Sequence, residues 1–221
     1  MTLSARALNR MEKERRILDA ALKVFASAGF SGASMDAIAE KAGVSKPTLY
    51  QYFGDKDGLF AAVMGRGGGH LLEPLQSLGG AGLVATLHRF AWHYADFVLR
   101  PDMLSLARLV IGEVQRFPQI GRAYQSAGPD RVLRGIMEFL NDQRAQGRLA
   151  FDDAELAAED LWALVLSAPR NQALHVPDQP IARAEVARYV GNGLRVFLRA
   201  YSTDPRADLA ELETLIRQSG P

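Results

Sequence analysis

Between residues 45 and 52 the chain gathers Ser45, Lys46, Pro47, Thr48, Tyr50, Gln51 and Tyr52. This chemistry suits gripping an anionic polymer and reading its edges. A glutamine amide can pair bidentately with adenine, and a threonine can meet a thymine methyl or a hydrogen-bond acceptor. Tyrosine hydroxyls and a lysine ammonium suit phosphate oxygens. Leu49 and Phe53 lie four apart and belong to the core-facing side of the same helix. The competing reading makes Tyr50 and Tyr52 ordinary residues of an amphipathic surface.

These side chains need a support, and MDAIAEKAGVSKPTLYQYFGDKDGLF, from Met35 to Phe60, provides one. An apolar-periodic segment from Met35 to Ala42 ends at Gly43, which suits the left-handed residue closing a helix. Val44 is the apolar plug at the corner. A second segment runs from Ser45 to Phe53, with Ser45 as N-cap and Pro47 in a first turn where its missing N–H is no loss. Two short helices around a tight turn form a helix-turn-helix, whose second helix can enter a DNA major groove. Upstream, Ile17, Leu18, Ala21, Leu22 and Phe25 give Arg15–Phe30 an amphipathic helical spacing. Gly29 ends that helix, and Ser34 can cap the next. A three-helix head is expected.

The run RRILDAALKVFASAGFSGASMDAIAEKAGVSKPTLYQYFGDKDGLF, residues 15–60, resembles the N-terminal domain of the TetR family of transcriptional regulators. It preserves the order of small, apolar, glycine and aromatic positions without a gap. Ala107-Arg-Leu-Val-Ile-Gly-Glu-Val-Gln-Arg-Phe-Pro118, and on to Gly128-Pro129, is similar to the C-terminal domain of the AefR-like branch. The resemblance implies that Tyr50, Tyr52 and Lys56 grip the DNA backbone and that Ser34 contacts a phosphate. Many relatives carry histidine where Gln51 stands, so no base preference carries over.

Composition is ordinary for a soluble globular protein and excludes several alternatives. The chain has 221 residues, 48% hydrophobic and 23% charged, and no cysteine, hence no disulfide framework or thiolate site. No secretory signal and no apolar stretch long enough for a membrane span is visible, which fits the cytosol. The net charge of +1 hides an asymmetry, because residues 1–16 carry five basic and two acidic side chains. That basic arm fits DNA contact at the N-terminal end; the plainer reading is a frayed terminus charged for solubility.

Helical patterning recurs along the rest of the chain, punctuated by Gly and Pro. A fourth helix is expected from Lys56 to about Leu78, with a kink or break at Gly65–Gly69, since each glycine costs about 1 kcal/mol relative to alanine. Gly79–Gly82 reads as a loop. Further helices are expected near Leu83–Leu99, Asp102–Phe117, Ile120–Gln125 and Pro129–Gln146, then from a cap at Asp152 or Asp153 to His175 (bent at Pro169), and over Ile181–Tyr201. Leu209, Leu212, Leu215 and Ile216 suggest a final short helix. The fold class is all-α: a three-helix helix-turn-helix domain at 1–55 and a larger helical domain for effector binding and dimerisation at 56–221.

Candidate effector-pocket residues in that larger domain are Phe90, His93, Tyr94, Phe97, Met103, Arg108, Ile111, Gln115, Tyr124, Met137, Trp162, Leu166 and Arg170, with a core role the alternative for each. Leu161, Val165, Val190, Leu194, Phe197 and Tyr201 form apolar stripes on the last long helix pair. In the TetR family this pair packs against its symmetry mate. Periodicity alone does not separate core from interface. No metal site, phosphate loop or catalytic constellation stands out, and no cofactor is expected. The expected function is a homodimeric, ligand-responsive repressor of a pseudo-palindromic double-stranded operator, released by a small molecule. An activator or dual regulator of the same fold, or a small-molecule-binding protein with a vestigial head, are the alternatives.

Overall fold

A computed structural model describes residues 4–76 and 82–219, without the side chains of 5, 6, 66–70 and 219. The described residues form helices and connecting turns, with one isolated bridge, Leu149 to Ser202, and no strand. In order the helices are α1 (Ala5–Gly32), α2 (Met35–Ala42), α3 (Lys46–Phe53), α4 (Lys56–Leu71), α5 (Glu73–Gln76), α6 (Leu83–Val98), α7 (Pro101–Glu113), α8 (Pro118–Ala127), α9 (Pro129–Ala145), α10 (Ala154–His175), α11 (Arg183–Tyr201) and α12 (Pro205–Ser219).

Most boundaries fall within a few residues of expectation; α1, α4 and the C-terminal helix differ. α1 begins about ten residues early, because Ser4 caps it by accepting the Ala7 amide and the charged run offers nothing that breaks a helix. α4 passes through Gly65–Gly69 without the expected break. The Gly79–Gly82 loop lies outside the described residues except for Gly82. The C-terminal helix is 15 residues long rather than short, with Leu212 fully buried in the core.

The chain divides by packing into two compact units, residues 1–67 with 101–128, and residues 68–100 with 129–221. The expected division at 55/56 places α7 and α8 with the larger domain, whereas they pack with the head. In the head unit Phe25, Phe30 and Phe60 form a mutual aromatic cluster, with centroids 5.2 to 5.9 Å apart, and Phe117 joins it edge-on to Phe30 at 5.2 Å. Ile17, Ile38, Leu49 and Leu59 are fully buried around it. Each such side chain contributes about 1.5–3 kcal/mol through burial.

In the larger unit α10 and α11 are the most intimately packed pair. A Cβ on Gly193 would stand 2.5 Å from the Leu164 carbonyl oxygen, so the absent side chain lets the two backbones touch. Polar pairs edge that core. Asp208 is buried, accepting from Arg148 Nη2 at 2.8 Å and from Ser202 Oγ at 2.6 Å. Arg195 meets Glu213 through two bonds of 2.6 and 3.0 Å. No helix of the described residues is long and apolar enough to cross a membrane.

Candidate nucleic-acid interface

Local chemistry sets the angle between α2 and α3. Ser34 Oγ accepts the Ala37 amide at 3.1 Å and starts α2. Gly43 adopts the left-handed conformation (φ 64°, ψ 40°) and its N–H closes α2 on Ala39 and Glu40. Val44 N donates to the Ala39 carbonyl at 3.0 Å, which turns the corner. Ser45 Oγ accepts the Thr48 amide at 3.4 Å and lies 2.8 Å from Thr48 Oγ1, starting α3. Each serine cap contributes about 1 kcal/mol. Leu49 is fully buried and anchors α3 from beneath.

This arrangement exposes Ser34, Ser45, Lys46, Pro47, Tyr50 and Gln51, and leaves Thr48 and Tyr52 half-buried. Lys46 is not free: its Nζ lies 2.8 Å from Asp36 Oδ1 across the turn. Hydrogen bonding to that carboxylate holds Lys46 above the ordinary lysine range, so it stays charged at any working pH. The pair is exposed on both sides and open to screening by salt.

Lys56 is placed differently from what the resemblance implies. Its Nζ donates to the carbonyls of Phe30 at 2.9 Å and Ala33 at 3.1 Å and sits 4.6 Å from the Phe30 ring centroid. The ammonium points inward, onto the turn that precedes Ser34, because that turn leaves helix-end carbonyls unpaired. The opposite end of the same turn is held by Glu113. Gly29 (φ 72°, ψ 174°) breaks α1, and the amides of Phe30 and Ser31 that open the new turn donate to Glu113 Oε1 at 2.7 Å and Oε2 at 2.9 Å. A carboxylate at the amide end and an ammonium at the carbonyl end match the dipole of the turn. A Cβ at position 29 would meet Glu113 Oε1 at 2.5 Å, so glycine is required there for both backbone and space. Sequence reasoning missed Glu113, whose partners lie more than eighty residues away.

The pocket candidates separate. Tyr94, Trp162, Leu166 and Arg170 line one cleft of about 160 Å³ with Glu159, Ala163, Ser167 and Asn171. Trp162 Nε1 donates to the Tyr94 hydroxyl, and the two rings meet edge to face. Phe90 is core, stacked on Tyr94. Phe97 and Met137 pack against the same core, with Arg100 over the Phe97 ring; His93 is half-buried on α6. Met103, Arg108, Ile111, Gln115 and Tyr124 belong to the head unit. There Met103 and Tyr124 pack on the head core, Arg108 donates to Ser105 Oγ at 3.4 Å, and Ile111 and Gln115 are exposed.

The expected interface stripe is corrected by burial. Leu161, Val165, Val190, Leu194 and Phe197 are each at most 2% exposed within the chain itself, so none offers surface to a partner. Their period is that of the unit's own core. Tyr201 is half-buried and donates to Asp160 at 2.5 Å, which pushes its phenol up to about 12. The exposed large apolar residues of α10 and α11 are instead Leu156 and Val196.

With this geometry established, comparison with known proteins gives a consistent answer. The model of bacterial regulatory proteins of the tetR family matches residues 17–63, and that of the AefR-like transcriptional repressor C-terminal domain matches residues 85–203. The chain belongs to the TetR family of transcriptional regulators. A crystal structure of a TetR-family regulator from Mesorhizobium loti superposes with a TM-score of 0.76 at 30% identity, over 87% of this chain and 98% of that one. The flavonoid-responsive regulator FrrA gives 0.67 at 32% identity, over 87% and 98%. Among curated relatives, the activator FasR of Mycolicibacterium smegmatis is 49% identical over 59 residues, 27% of each chain. The regulator RutR of Escherichia coli K12 is 48% identical over 52 residues, 24% of each. The match therefore spans about a quarter of the length of these curated relatives.

Proposed function

We propose that the protein is a homodimeric transcriptional repressor whose α2–α3 face binds a pseudo-palindromic operator and whose larger unit binds a small-molecule effector that releases DNA. The observation that carries this reading is the capped α2–α3 pair, which leaves Tyr50, Gln51 and their neighbours exposed while Leu49 anchors the helix. Repression is favoured over activation by the AefR-like repressor match, which runs through most of the larger unit. The activator FasR matches only a short segment of this chain. Dimerisation is assigned to the outward faces of α10 and α11, where Leu156 and Val196 are exposed.

A flavonoid-type aromatic is the first effector class to test, by analogy with FrrA. Its landing place is the cleft of Tyr94, Trp162, Leu166 and Arg170, whose 160 Å³ is smaller than an ordinary ligand site and has to open on binding. Trp162 fluorescence reports binding there, with Trp92 as background. The test titrates a flavonoid panel into protein bound to DNA selected from a random pool. Release of DNA, with a matching loss of flavonoid affinity when DNA is present, is expected from linkage. Ligands that bind yet leave DNA affinity unchanged would sink the induction mechanism.

A further inference from the structure

The recognition helix has a charge deficit. α3 carries a single cation, Lys46, and Asp36 already holds it. The next lysine along the chain, Lys56, is turned onto two backbone carbonyls. Duplex DNA presents one negative charge per about 1.7 Å of its axis, and affinity for it comes largely from cations that displace condensed counterions. A helix entering the groove without an uncommitted cation of its own needs them from a neighbour.

α1 supplies them. Its early start places Asn9, Arg10 and Lys13 on a formed helix rather than a loose arm. At spacings i, i+1 and i+4 they share one face. Thr48, Gln51 and Tyr52 share a face of α3 by the same rule. Together these six residues line a cleft of about 490 Å³. The Arg10 guanidinium carbon lies over the Tyr52 ring, 5.7 Å from its centroid, and the Arg10 side chain is exposed. Lys13 has no ion-pair partner among the described residues. Arg15, by contrast, is bracketed by Glu12 and Asp19 at 2.5 and 3.5 Å.

We propose that the cleft between α1 and α3 seats a phosphodiester of the operator backbone, held by Arg10 and Lys13, with the Asn9 amide as a neutral donor beside them. α1 is then a second DNA-contacting element that supplies the charge α3 lacks. This rests on the reading of the α2–α3 face as a DNA-binding surface.

The test measures anisotropy of two labelled duplexes across a salt series: one selected by the wild-type protein from a random pool, and a scrambled duplex of equal length. Arg10→Gln and Lys13→Gln are each expected to weaken both duplexes by the same factor, roughly tenfold. Each should also flatten the salt slope by about one unit per lost contact in each half-site. Arg15→Gln, a cation of the same helix already matched by acids, should leave the slope unchanged. Arg10→Lys should restore the slope. Circular dichroism confirms that each variant keeps its helices. Slopes for Arg10→Gln and Lys13→Gln equal to wild type would overturn the proposal. So would a loss confined to the selected duplex, which would make Arg10 a reader of base edges. If the wild type selects no DNA at all, the reading of the face itself falls, before any variant is made.

Discussion

The two compact units solve different problems with different kinds of bonds. In the head unit, polar groups are spent locally and directionally. Ser34 and Ser45 cap two helices, and Asp55 Oδ1 accepts the Gly58 amide at 2.8 Å to open a third. Glu113 and Lys56 grip the two ends of one turn. In the larger unit the long helices pack through an apolar core, and polar pairs such as Arg148–Asp208 and Arg195–Glu213 lie at its edge. A surface that must present side chains at a fixed angle needs the first kind. A packed body needs only matching apolar faces, which say little about which outer face meets a partner.

The largest effect that would sharpen this contrast is Phe197→Asp. Phe197 is fully buried, so a charge there costs several kcal/mol and unfolds or badly destabilises the larger unit, read by urea denaturation. Val196→Glu, one residue along and 37% exposed, should keep the helical signal and melting temperature yet give monomers by light scattering at micromolar concentration. A Val196→Glu protein that stays dimeric would move the interface away from this face of α11.

Next in size is the turn clamp. Glu113→Ala leaves two amides without their acceptor, a cost of about 1–3 kcal/mol in stability. Because Glu113 touches no phosphate in this reading, operator affinity should fall with an unchanged salt slope. Lys56→Ala should behave like Glu113→Ala and unlike Lys13→Gln. A flattened salt slope for Lys56→Ala would show that this lysine swings out to the backbone on binding, and the contrast between clamp and contact would dissolve.

A smaller effect is set by pH in the larger unit. Burial pushes His88 below the ordinary histidine value, and its neutral Nε2 accepts from Trp92 Nε1 at 3.2 Å. The unfolded chain takes up a proton near pH 6.5 that the folded chain resists, so stability is fully present above that value. It falls as pH drops below 6.5 toward the lower folded value, by at most about 1.4 kcal/mol per unit. His88→Gln should remove that part of the acid sensitivity in thermal melts between pH 7 and 5. The smallest change expected is Ser34→Ala, at about 1 kcal/mol from the lost cap.

Much of the head was legible because its signals are local. Gly43, Ser45 and Pro47 each state a backbone requirement within a few residues, and α2 and α3 fall where those residues put them. Lys56 and Glu113 were not legible as a pair, since a lysine fits a phosphate or a helix-end carbonyl equally well and the carboxylate comes from a distant helix. The basic arm was visible as charge, but only the Ser4 cap and the helix that follows bring Arg10 and Lys13 beside α3. In the larger unit the helices were legible and their faces were not. Leu161, Val190 and Phe197 have the period of an interface and the burial of a core.

The most direct test of operator binding by a two-fold dimer is selection of duplexes from a random pool by the wild-type protein, followed by sequencing. The expected product is an inverted repeat whose half-sites are centred about one helical turn, 10–10.5 base pairs, or a multiple of it apart. An unenriched pool, or a single half-site without its inverted mate, would contradict it.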